Sequence, residues 1–535
     1  MKREVEDGWY SCMQSIQISR RHLLKMAGAT AGAVAASPYL TGCQMFGKKE
    51  ESKVVMGYGL SLVQLDPHKN ENMVHESVLR NMYECLITFG RDLKQFEPQL
   101  ATEWKRIDDK TMQFKLRQNV KFHNGEEFDA EVVKFSIHRM LDPKTGAPLL
   151  STYTIIDHVD VVDKSTVNVV TKTSDPAILP RLTGFHTIIV PPKYFSTASK
   201  EDLATKPIGT GPYKFVSWAK DQDLVMEANE GYWGGAPKIK RVIVRAIPET
   251  QTRVSALLAG DVDIIPAVPP DDMDRIKKSG KARIASIPGN RIVFFALDCR
   301  SKPFDNKLVR QAVNYGANID NIIKTVLQGN GTRVATVLNP WYAGYEPDVQ
   351  PIPYDPEKAK ALLKQAGYPT GVEFTFYGTQ GRVSKDKEVI EAIVGELAKV
   401  GLKGNLKWLD WGTAFSQANA GKLDGIWFRS WGNFMHDADL SLFTNFHSSS
   451  TYAKVWQGYK NDKLDKILEE ARTTMDPAKR AKLCTEAQKI LQDDSPYLWG
   501  YAIQDIYAIN NRIEWTPRTD EKVLYTEMTL AEKKA

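Results

Sequence analysis

The chain of 535 residues has few cysteines and places them far apart. The five lie at positions 12, 43, 85, 299 and 484, and no two of them form a CxxC pair. Zinc sites and disulfide frameworks use cysteines at short, paired spacings. The sequence therefore predicts neither kind of site. It indicates buried, inert thiols at Cys85 and Cys484, with one disulfide as the alternative in an oxidising compartment.

Long apolar runs and basic patches are also missing after residue 43. The mean hydropathy is −0.37, and a formal charge of +6 is spread over the chain. A membrane-spanning helix needs about 20 apolar residues, and a nucleic-acid surface needs clustered basic residues. These absences argue against a channel, a permease and a nucleic-acid-binding protein.

Specific catalytic motifs are missing as well. The sequence has no GxSxG elbow, no HExxH pair and no P-loop. Gly209-Thr210-Gly211 begins like a dinucleotide-binding loop, but Pro212 and a strand-like YKFV follow where a phosphate site needs a helix N-terminus. We interpret this segment as a tight turn. We expect no enzyme activity, no cofactor and no metal ligand set.

The N-terminal segment is typical of an export address. Residues 19–25 (SRRHLLK) match a twin-arginine signal, residues 26–36 form a mild apolar run, and residues 40–43 (LTGC) match a lipoprotein cleavage box. The alternative is a buried N-terminal helix, but the features occur in the order of an export signal. We therefore expect residues 1–43 to be a twin-arginine signal with a lipobox, and Cys43 to carry lipid.

The rest of the chain alternates strand-like and helix-like segments. Residues 53–58 (KVVMGY) predict a first strand, and residues 291–297 (RIVFFAL) predict a central strand covered on both faces. Residues 74–86 have a helical pattern. Further helices are predicted after the Asp-Pro pairs at 355–356 and 476–477, because Asp caps free N–H groups and Pro suits the first turn. The pattern and the length predict an α/β protein with two or three lobes.

A series of segments then resembles one family closely. The segments are LDPHKN (65–70), YECLITF (83–89), PQLATEW (98–104), FKLRQNVKFHNGEEFDAEVVKFS (114–136), PIGTGPYKF (207–215), GYWGGAPKIKRVIVRAIPE (231–249), ALLAGDVD (256–263), PFDNKLVRQAVNYGANID (303–320) and YDPEKAKALLKQAGY (354–368). In order and spacing they resemble the large solute-binding proteins of ABC importers for dipeptides, oligopeptides and nickel, which form bacterial extracellular solute-binding protein family 5.

The resemblance implies a fold and its domains. The fold is α/β and periplasmic binding protein-like (type II, cluster C), with two main lobes, a ligand cleft between them and an inserted third domain. Lobe I would be discontinuous, the inserted domain would interrupt it, and lobe II would form the other wall of the cleft. The implied limits are 53–88, 205–286 and 496–535 for lobe I, 89–204 for the inserted domain, and 287–495 for lobe II.

The segment 425–439 is the one expected to touch the ligand. It resembles the Trp-x-x-Asp-x-x-Asp-Pro pattern of the family, whose first Asp holds the α-ammonium group of a peptide. Phe434 stands at that position here and cannot neutralise a buried ammonium. Asn433 offers neutral hydrogen bonds, and Asp437 matches the second Asp, which caps the next helix more often than it binds ligand.

Other candidate ligand contacts lie near this segment and in other parts of the chain. On a strand, Arg429 and Trp431 point to one face, so Arg429 could pair with a ligand carboxylate and Trp431 could stack on the ligand. The alternatives are a structural salt bridge and a core tryptophan. The remaining candidates are Gly432, an aromatic wall of Trp341 and Tyr342, and Met73 and His75 at the start of a helix facing the cleft.

The sequence therefore predicts a receptor that does no covalent chemistry. It would be lipid-anchored outside the cytoplasmic membrane, exported by the twin-arginine route, monomeric, and would pass a peptide, opine, sugar or chelate to a membrane ABC permease. Aromatic walls would bury the solute, and a few polar groups would orient it. The alternatives are a sensory binding module for the same solutes and, because of His75, a carrier of nickel or another metal chelate.

Overall fold

The computed structural model describes residues 52–59, 62–70, 73–379 and 382–532, without the side chains of residues 73 and 74. The predicted export signal and the lipid site at Cys43 lie outside these residues. The strands of the described chain, in order, are β1 (Lys53–Tyr58), β2 (Ile87–Phe89), β3 (Phe96–Pro98), β4 (Ala101–Arg106), β5 (Thr111–Leu116), β6 (Ile156–Asp163), β7 (Thr166–Thr171), β8 (Tyr213–Trp218), β9 (Asp223–Ala228), β10 (Arg241–Ala246), β11 (Ile264–Ile265), β12 (Ala282–Leu297), β13 (Gly331–Arg333), β14 (Val372–Gly378), β15 (Leu402–Trp408), β16 (Ile426–Gly432), β17 (Tyr497–Asn510), β18 (Ile513–Glu514) and β19 (Thr529–Leu530).

Helices alternate with these strands, as the sequence predicts. The α-helices of the described chain are α1 (Met73–Leu79), α2 (Ala130–Leu141), α3 (Leu150–Tyr153), α4 (Ile178–Leu182), α5 (Pro192–Thr197), α6 (Lys200–Thr205), α7 (Thr250–Ala259), α8 (Pro270–Lys278), α9 (Lys307–Gly316), α10 (Ile319–Thr325), α11 (Pro356–Gln365), α12 (Asp386–Ala398), α13 (Trp411–Asn419), α14 (Ala438–Phe446), α15 (Asp462–Thr473) and α16 (Pro477–Asp494). A π-helical turn covers Tyr452–Gln457, and a 3-10 turn at Phe185–Thr187 faces the cleft described below.

One large mixed sheet of eleven strands connects the two main lobes. Its order is β15-β14-β16-β12-β17-β11-β1-β10-β9-β8, and β13 pairs with β17. Strands β1 and β8–β11 belong to lobe I, and strands β13–β16 belong to lobe II. Strands β12 and β17 are the long central pair and belong to both. This is the two-lobe architecture that the resemblance implied.

The chain crosses between the lobes along β12 and β17. The first part of β12 pairs with the end of β17 beside lobe I. In lobe II, residues 291–297 of β12 pair with β16, and residues 292–296 also pair with β17. The register of the pair shifts between Pro288 and Ile292. A bulge of this kind bends the strands and increases their twist, so the two lobes meet at an angle here. We call this crossing the hinge.

A second sheet lies in the inserted region. It is antiparallel, with the order β4-β5-β7-β6, and its inner face contributes Phe114, Val159 and Val169, which are all buried. Helix α2 packs on β6 and buries its own apolar residues there. This sheet is the inserted third domain, and the residue limits given above for the three domains stay predictions.

Several local expectations are confirmed. Strand β1 covers residues 53–58, and residues 292–297 are fully buried in β12. Helices α11 and α16 begin after side-chain caps from Asp355 and Asp476, with Pro in the first turn. Cys85, Cys299 and Cys484 are free, and burial holds the pKa of Cys484 at about 12, as expected for an inert thiol.

The helix predicted over residues 74–86 is too long. Helix α1 ends at Leu79, and residues 80–82 form a turn. The carbonyl groups of Asn81 and Met82 accept hydrogen bonds from Tyr213 and Gly211, at the start of β8. Backbone groups that are bonded to another element cannot continue a helix, so tertiary contacts override the local pattern here. Cys85 therefore follows the helix and is not part of it.

The same contact explains the GTG motif. A Cβ atom on Gly209 would lie 2.1 Å from the carbonyl oxygen of Met82, and one on Gly211 would lie 2.6 Å from the carbonyl carbon. Glycine is required because the two backbone segments approach so closely. The motif is a turn that leads into β8, as predicted, and not a phosphate-binding loop.

Candidate functional site

Two cavities follow one another along the cleft between the lobes. The larger, which we call the arginine cavity, has a volume of about 460 Å³ and is walled by Gln64, Lys69 and His75 on one side and by Arg429 and Trp431 of lobe II on the other. The smaller, which we call the hinge cavity, has a volume of about 240 Å³ and lies at the hinge. Both are lined by Arg291 and Arg382, so the two cavities are neighbours.

Arg429 is the main charge in the arginine cavity. It lies on β16 and is 3% exposed. Its Nη1 donates a hydrogen bond of 3.1 Å to the hydroxyl group of Tyr497 on β17. The guanidinium carbon lies 4.5 to 5.4 Å from the centres of four rings. These rings belong to Phe294, Trp427, Tyr452 and Trp456.

No carboxylate in the described chain forms an ion pair with Arg429. The structural salt bridge that the sequence left open is therefore not formed among these residues. A buried cation without an anion is costly, and the aromatic faces offset only part of that cost. An anion that enters this cavity would complete the site, and a carboxylate matches the fork of a guanidinium best.

The neighbours of Arg429 form the walls of the cavity. The Nε1 of Trp431 donates a hydrogen bond of 3.0 Å to Ser441, and its ring meets that of Tyr452 edge-on. Gly432 follows Trp431 at the end of β16 and also lines the cavity. Trp431 thus keeps a fixed ring at the edge of the cleft while its polar atom is satisfied by lobe II.

Phe434 lines the same cavity from the loop after β16. It is largely buried, and its ring packs against those of Tyr153 and Phe185 from the inserted domain. An aspartate here would have to be buried among these rings. The position therefore closes the cleft with an apolar contact and offers no charge to a ligand amine.

Asn433 and Asp437 make contacts within lobe II. The Nδ2 of Asn433 donates to the carbonyl group of Asp437 at 2.7 Å and to Ser441 at 2.8 Å. The carboxylate of Asp437 accepts from the backbone N–H of Asp439 at 2.8 Å, which caps α14, and from Arg480 at 2.7 Å. Neither residue lines the arginine cavity, and their role in ligand binding stays a prediction.

Trp341 and Tyr342 lie away from Arg429. Together with Asp437 they line a separate pocket of about 610 Å³ between lobe II and the inserted domain, which we call the outer pocket. The hydroxyl group of Tyr342 donates to the side chain of Asn290 at 2.6 Å. The structure therefore does not bring this aromatic pair together with the Arg429 group, although the sequence treated them as one site.

Helix α1 supplies the candidates from lobe I. It begins at Met73, and His75 in its first turn is buried and lines the arginine cavity. In the described residues no group of three or more His, Cys, Asp and Glu side chains is arranged to hold a metal ion. His75 therefore faces the cleft from the side of lobe I.

The sequence analysis missed the charged residues of the hinge cavity. Arg291 on β12 pairs with Glu521 at 2.9 Å, and Asp505 on β17 lines the same cavity. Burial raises the pKa of Asp505 well above its usual range, and the nearby charge of Glu521 raises it further. Arg291 could have been noticed as the one charge at the start of an otherwise apolar strand. Nothing in the sequence relates it to residues that lie more than 200 positions away.

Across the described residues, no helix has both the length and the apolar character required to cross a bilayer.

Comparisons with known proteins show the family of the chain. The family model for bacterial extracellular solute-binding proteins, family 5, matches residues 95–453. Heme-binding protein A of Haemophilus influenzae is 31% identical over 80% of this chain and 83% of its own length. The glutathione-binding protein GsiB of Pectobacterium atrosepticum is 29% identical over 93% of this chain and 96% of its own length.

A solved structure extends the likeness to the fold. The periplasmic binding protein DppA of Helicobacter pylori, in complex with the peptide STSA, superposes with a TM-score of 0.80 at 26% sequence identity. The match covers 90% of this chain and 98% of that one.

Proposed function

Because the chain belongs to the bacterial extracellular solute-binding proteins of family 5, we propose that it binds a carboxylate-bearing, peptide-like solute in its cleft and delivers it to an ABC importer. Proteins of this family deliver peptide-like or related solutes to such importers. What we add for this chain is the chemical class of the solute and the residue that selects it. The observation that carries the proposal is Arg429, a buried cation that faces the cleft and has no carboxylate partner among the described residues.

Relatives of this chain support a peptide-like solute. GsiB of Pectobacterium atrosepticum is named for glutathione, and DppA of Helicobacter pylori was solved with a tetrapeptide. Both of these ligands carry free carboxylates and amide bonds. The aromatic walls around Arg429 can bury amides and side chains, while the guanidinium fixes one carboxylate.

Closure of the lobes would then trap the solute without changing it. The ligand lies between walls from both lobes, and water leaves when the walls meet, so each hydrogen bond inside becomes stronger. The ligand stabilises the closed state only through its higher affinity for that state. The permease would recognise the closed form. No group in this scheme breaks a covalent bond, so the protein acts as a receptor and not as an enzyme.

The wider setting is part of the proposal. Family 5 proteins are periplasmic, and residues 19–25 and 40–43 support twin-arginine export and a lipid anchor on Cys43. We also propose the following domain limits: 53–88, 205–286 and 496–535 for lobe I, 89–204 for the insertion and 287–495 for lobe II. With these limits the cleft would lie between two lobes that close on the β12–β17 hinge. Treating the exported protein with a lipase or mutating Cys43→Ser tests the anchor, since either should release it from membranes.

A ligand screen tests the main proposal. The purified protein is heated with tripeptides, glutathione, opines, oligosaccharides and nickel chelates. A true ligand at a hundredfold excess over its Kd should raise the free energy of unfolding by about 2.7 kcal/mol, and mass spectrometry should recover it unchanged. Stabilisation by neutral sugars alone, or recovery of a cleaved product, would overturn the proposal.

A further inference from the structure

The hinge cavity contains three buried oxygen atoms that have no hydrogen-bond partner in the described chain. They are Oδ2 of Asp505, Oε1 of Glu521 and the hydroxyl oxygen of Tyr501, and all three residues line this cavity. Buried polar groups are almost always bonded, because an unsatisfied one destabilises the fold. Three such oxygens in one cavity therefore leave it open to a hydrogen-bond donor from a ligand.

Two of these three residues lie on one strand. Tyr501 and Asp505 are four residues apart on β17, so their side chains lie on the same face of the strand. Tyr501 is 1% exposed. The carboxylate of Asp505 packs against Gly289 on β12, where a Cβ atom would lie 2.9 Å from Oδ2. A larger side chain at position 289 would displace the carboxylate of Asp505. Glycine at this position therefore leaves space for that carboxylate.

Two carboxylates, those of Asp505 and Glu521, face the guanidinium of Arg291, while Arg253 and Arg382 line other parts of the hinge cavity. Glu521 uses Oε2 to pair with Arg291 at 2.9 Å, and the two side chains are 11% and 12% exposed. Arg291 also lowers the pKa of Asp505, so one guanidinium interacts with two carboxylates. Burial and the charge of Glu521 outweigh this effect, and the pKa of Asp505 is raised overall. A second positive charge beside these carboxylates would relieve the repulsion between them.

We propose that Asp505, Glu521 and Tyr501 form a subsite for a protonated amino group of the ligand. An ammonium group has three N–H donors and no acceptor, which matches three oxygens that need donors. This subsite would take over the amine recognition that Phe434 cannot provide. This subsite deepens the proposed function and rests on it. The hinge cavity and the arginine cavity share Arg291 and Arg382, so we expect one ligand to reach both. The ligand would thus place its carboxylate at Arg429 and its amino group at the hinge.

The test compares free and blocked amines on the intact protein. Glutathione and a mixture of tripeptides are titrated into the protein in a calorimeter. Each is used once with a free amino group and once as its N-acetyl derivative. The wild type should bind the free amines at least about tenfold more tightly, since one lost charged hydrogen bond costs about 1.4 kcal/mol or more. In Asp505→Asn/Glu521→Gln this preference should fall to within about twofold, because an amide at both positions keeps the shape and removes the charge.

Two further variants keep the result interpretable. Tyr501→Phe removes one hydroxyl group and should reduce the preference partially without disturbing the fold. Lys403→Gln removes an exposed charge on β15, outside the cleft, and should keep the full preference. Thermal unfolding of each variant without ligand shows whether it is folded.

The outcomes separate this inference from the proposed function. If the wild type binds acetylated and free amines equally, or if the double variant keeps the preference, the amine subsite is wrong while carboxylate binding at Arg429 stands. If the wild type binds none of these peptides, the proposed function fails and the subsite fails with it.

Discussion

The hydroxyl group of Tyr497 accepts a hydrogen bond of 3.1 Å from Nη1 of Arg429. Tyr497 lies at the start of β17 and Arg429 lies on β16, and the strand between them is β12. The tyrosine ring stacks on Phe294 of that strand at 4.6 Å. The central sheet of the hinge thus orients the cation that we assign to ligand binding.

Removing this contact should weaken binding more than folding. In Tyr497→Phe the ring stays in place, but Arg429 loses its only hydrogen-bond acceptor within the described chain. We expect the affinity for a carboxylate-bearing ligand to fall by about fivefold, which corresponds to about 1 kcal/mol for one hydrogen bond. Isothermal titration measures the change.

Tyr459→Phe is the matched control, because Tyr459 donates a hydrogen bond of 2.7 Å to Asp494 outside the cleft. It should lower stability and leave the affinity as it is. Equal affinity losses in the two variants would show that Tyr497 acts only through general stability.

Arg429→Gln should stabilise the ligand-free protein or leave its stability unchanged. The wild type buries a guanidinium without an anion, and glutamine removes that charge while it can still donate to Tyr497. Functional residues often lower stability in this way. Urea unfolding without ligand measures the free energy of unfolding. A loss of more than about 2 kcal/mol would assign Arg429 to the structural framework instead.

Asp437→Asn should show the opposite behaviour. Asp437 holds the buried Arg480 at 2.7 Å and caps α14. Breaking a buried ion pair costs about 3 to 5 kcal/mol, because the partner charge stays buried. We expect a loss of stability near that size in urea unfolding, with ligand affinity within about twofold of the wild type. A large affinity loss in a folded variant would return Asp437 to the ligand-binding residues.

The protein should lose stability as the pH falls from about 6.5 to 4. Burial lowers the pKa of His68 from 6.5 to about 4, and the charge of Arg139 lowers it further. In this window the unfolded chain binds a proton that the folded protein does not, so the free energy of unfolding falls as the pH falls. His68 contributes up to about 3 kcal/mol of this change.

The comparison of two variants isolates that contribution. His68→Gln should reduce the slope of the free energy of unfolding against pH, and His158→Gln should not, because the side chain of His158 is 43% exposed and its pKa is raised. Other buried histidines, such as His186 with a pKa lowered to about 3, leave a residual slope. An identical slope in the wild type and in His68→Gln would contradict the assignment.

Local patterns in the sequence predicted much of the fold. Strand β1, the buried part of β12 and the caps at Asp355 and Asp476 follow from residue order alone, because the forces involved act between near neighbours. The error at the end of α1 has the opposite cause. There the hydrogen bonds come from residues about 130 positions away, and no periodicity in the segment itself reveals them.

The candidate site was only partly predictable for the same reason. Arg429, Trp431 and Phe434 lie on one short segment, and the structure brings them together with His75 at one cavity. The pairing of Arg291 with Glu521 joins residues that are 230 positions apart and depends on how β12 crosses the hinge. Trp341 faces the outer pocket because the contact of Tyr342 with Asn290 fixes the loop there.

The most direct test pairs a change in the ligand with a change in Arg429. Tripeptides with a free carboxylate and the same tripeptides with a C-terminal amide are titrated into the wild type and into Arg429→Gln. Losing one partner of a buried charge pair costs about 2 kcal/mol or more, so the wild type should prefer the free acid by about 30-fold. The variant should bind acid and amide within about twofold of each other. If the variant keeps the preference of the wild type for the acid, the carboxylate is bound elsewhere and the account of the site is wrong.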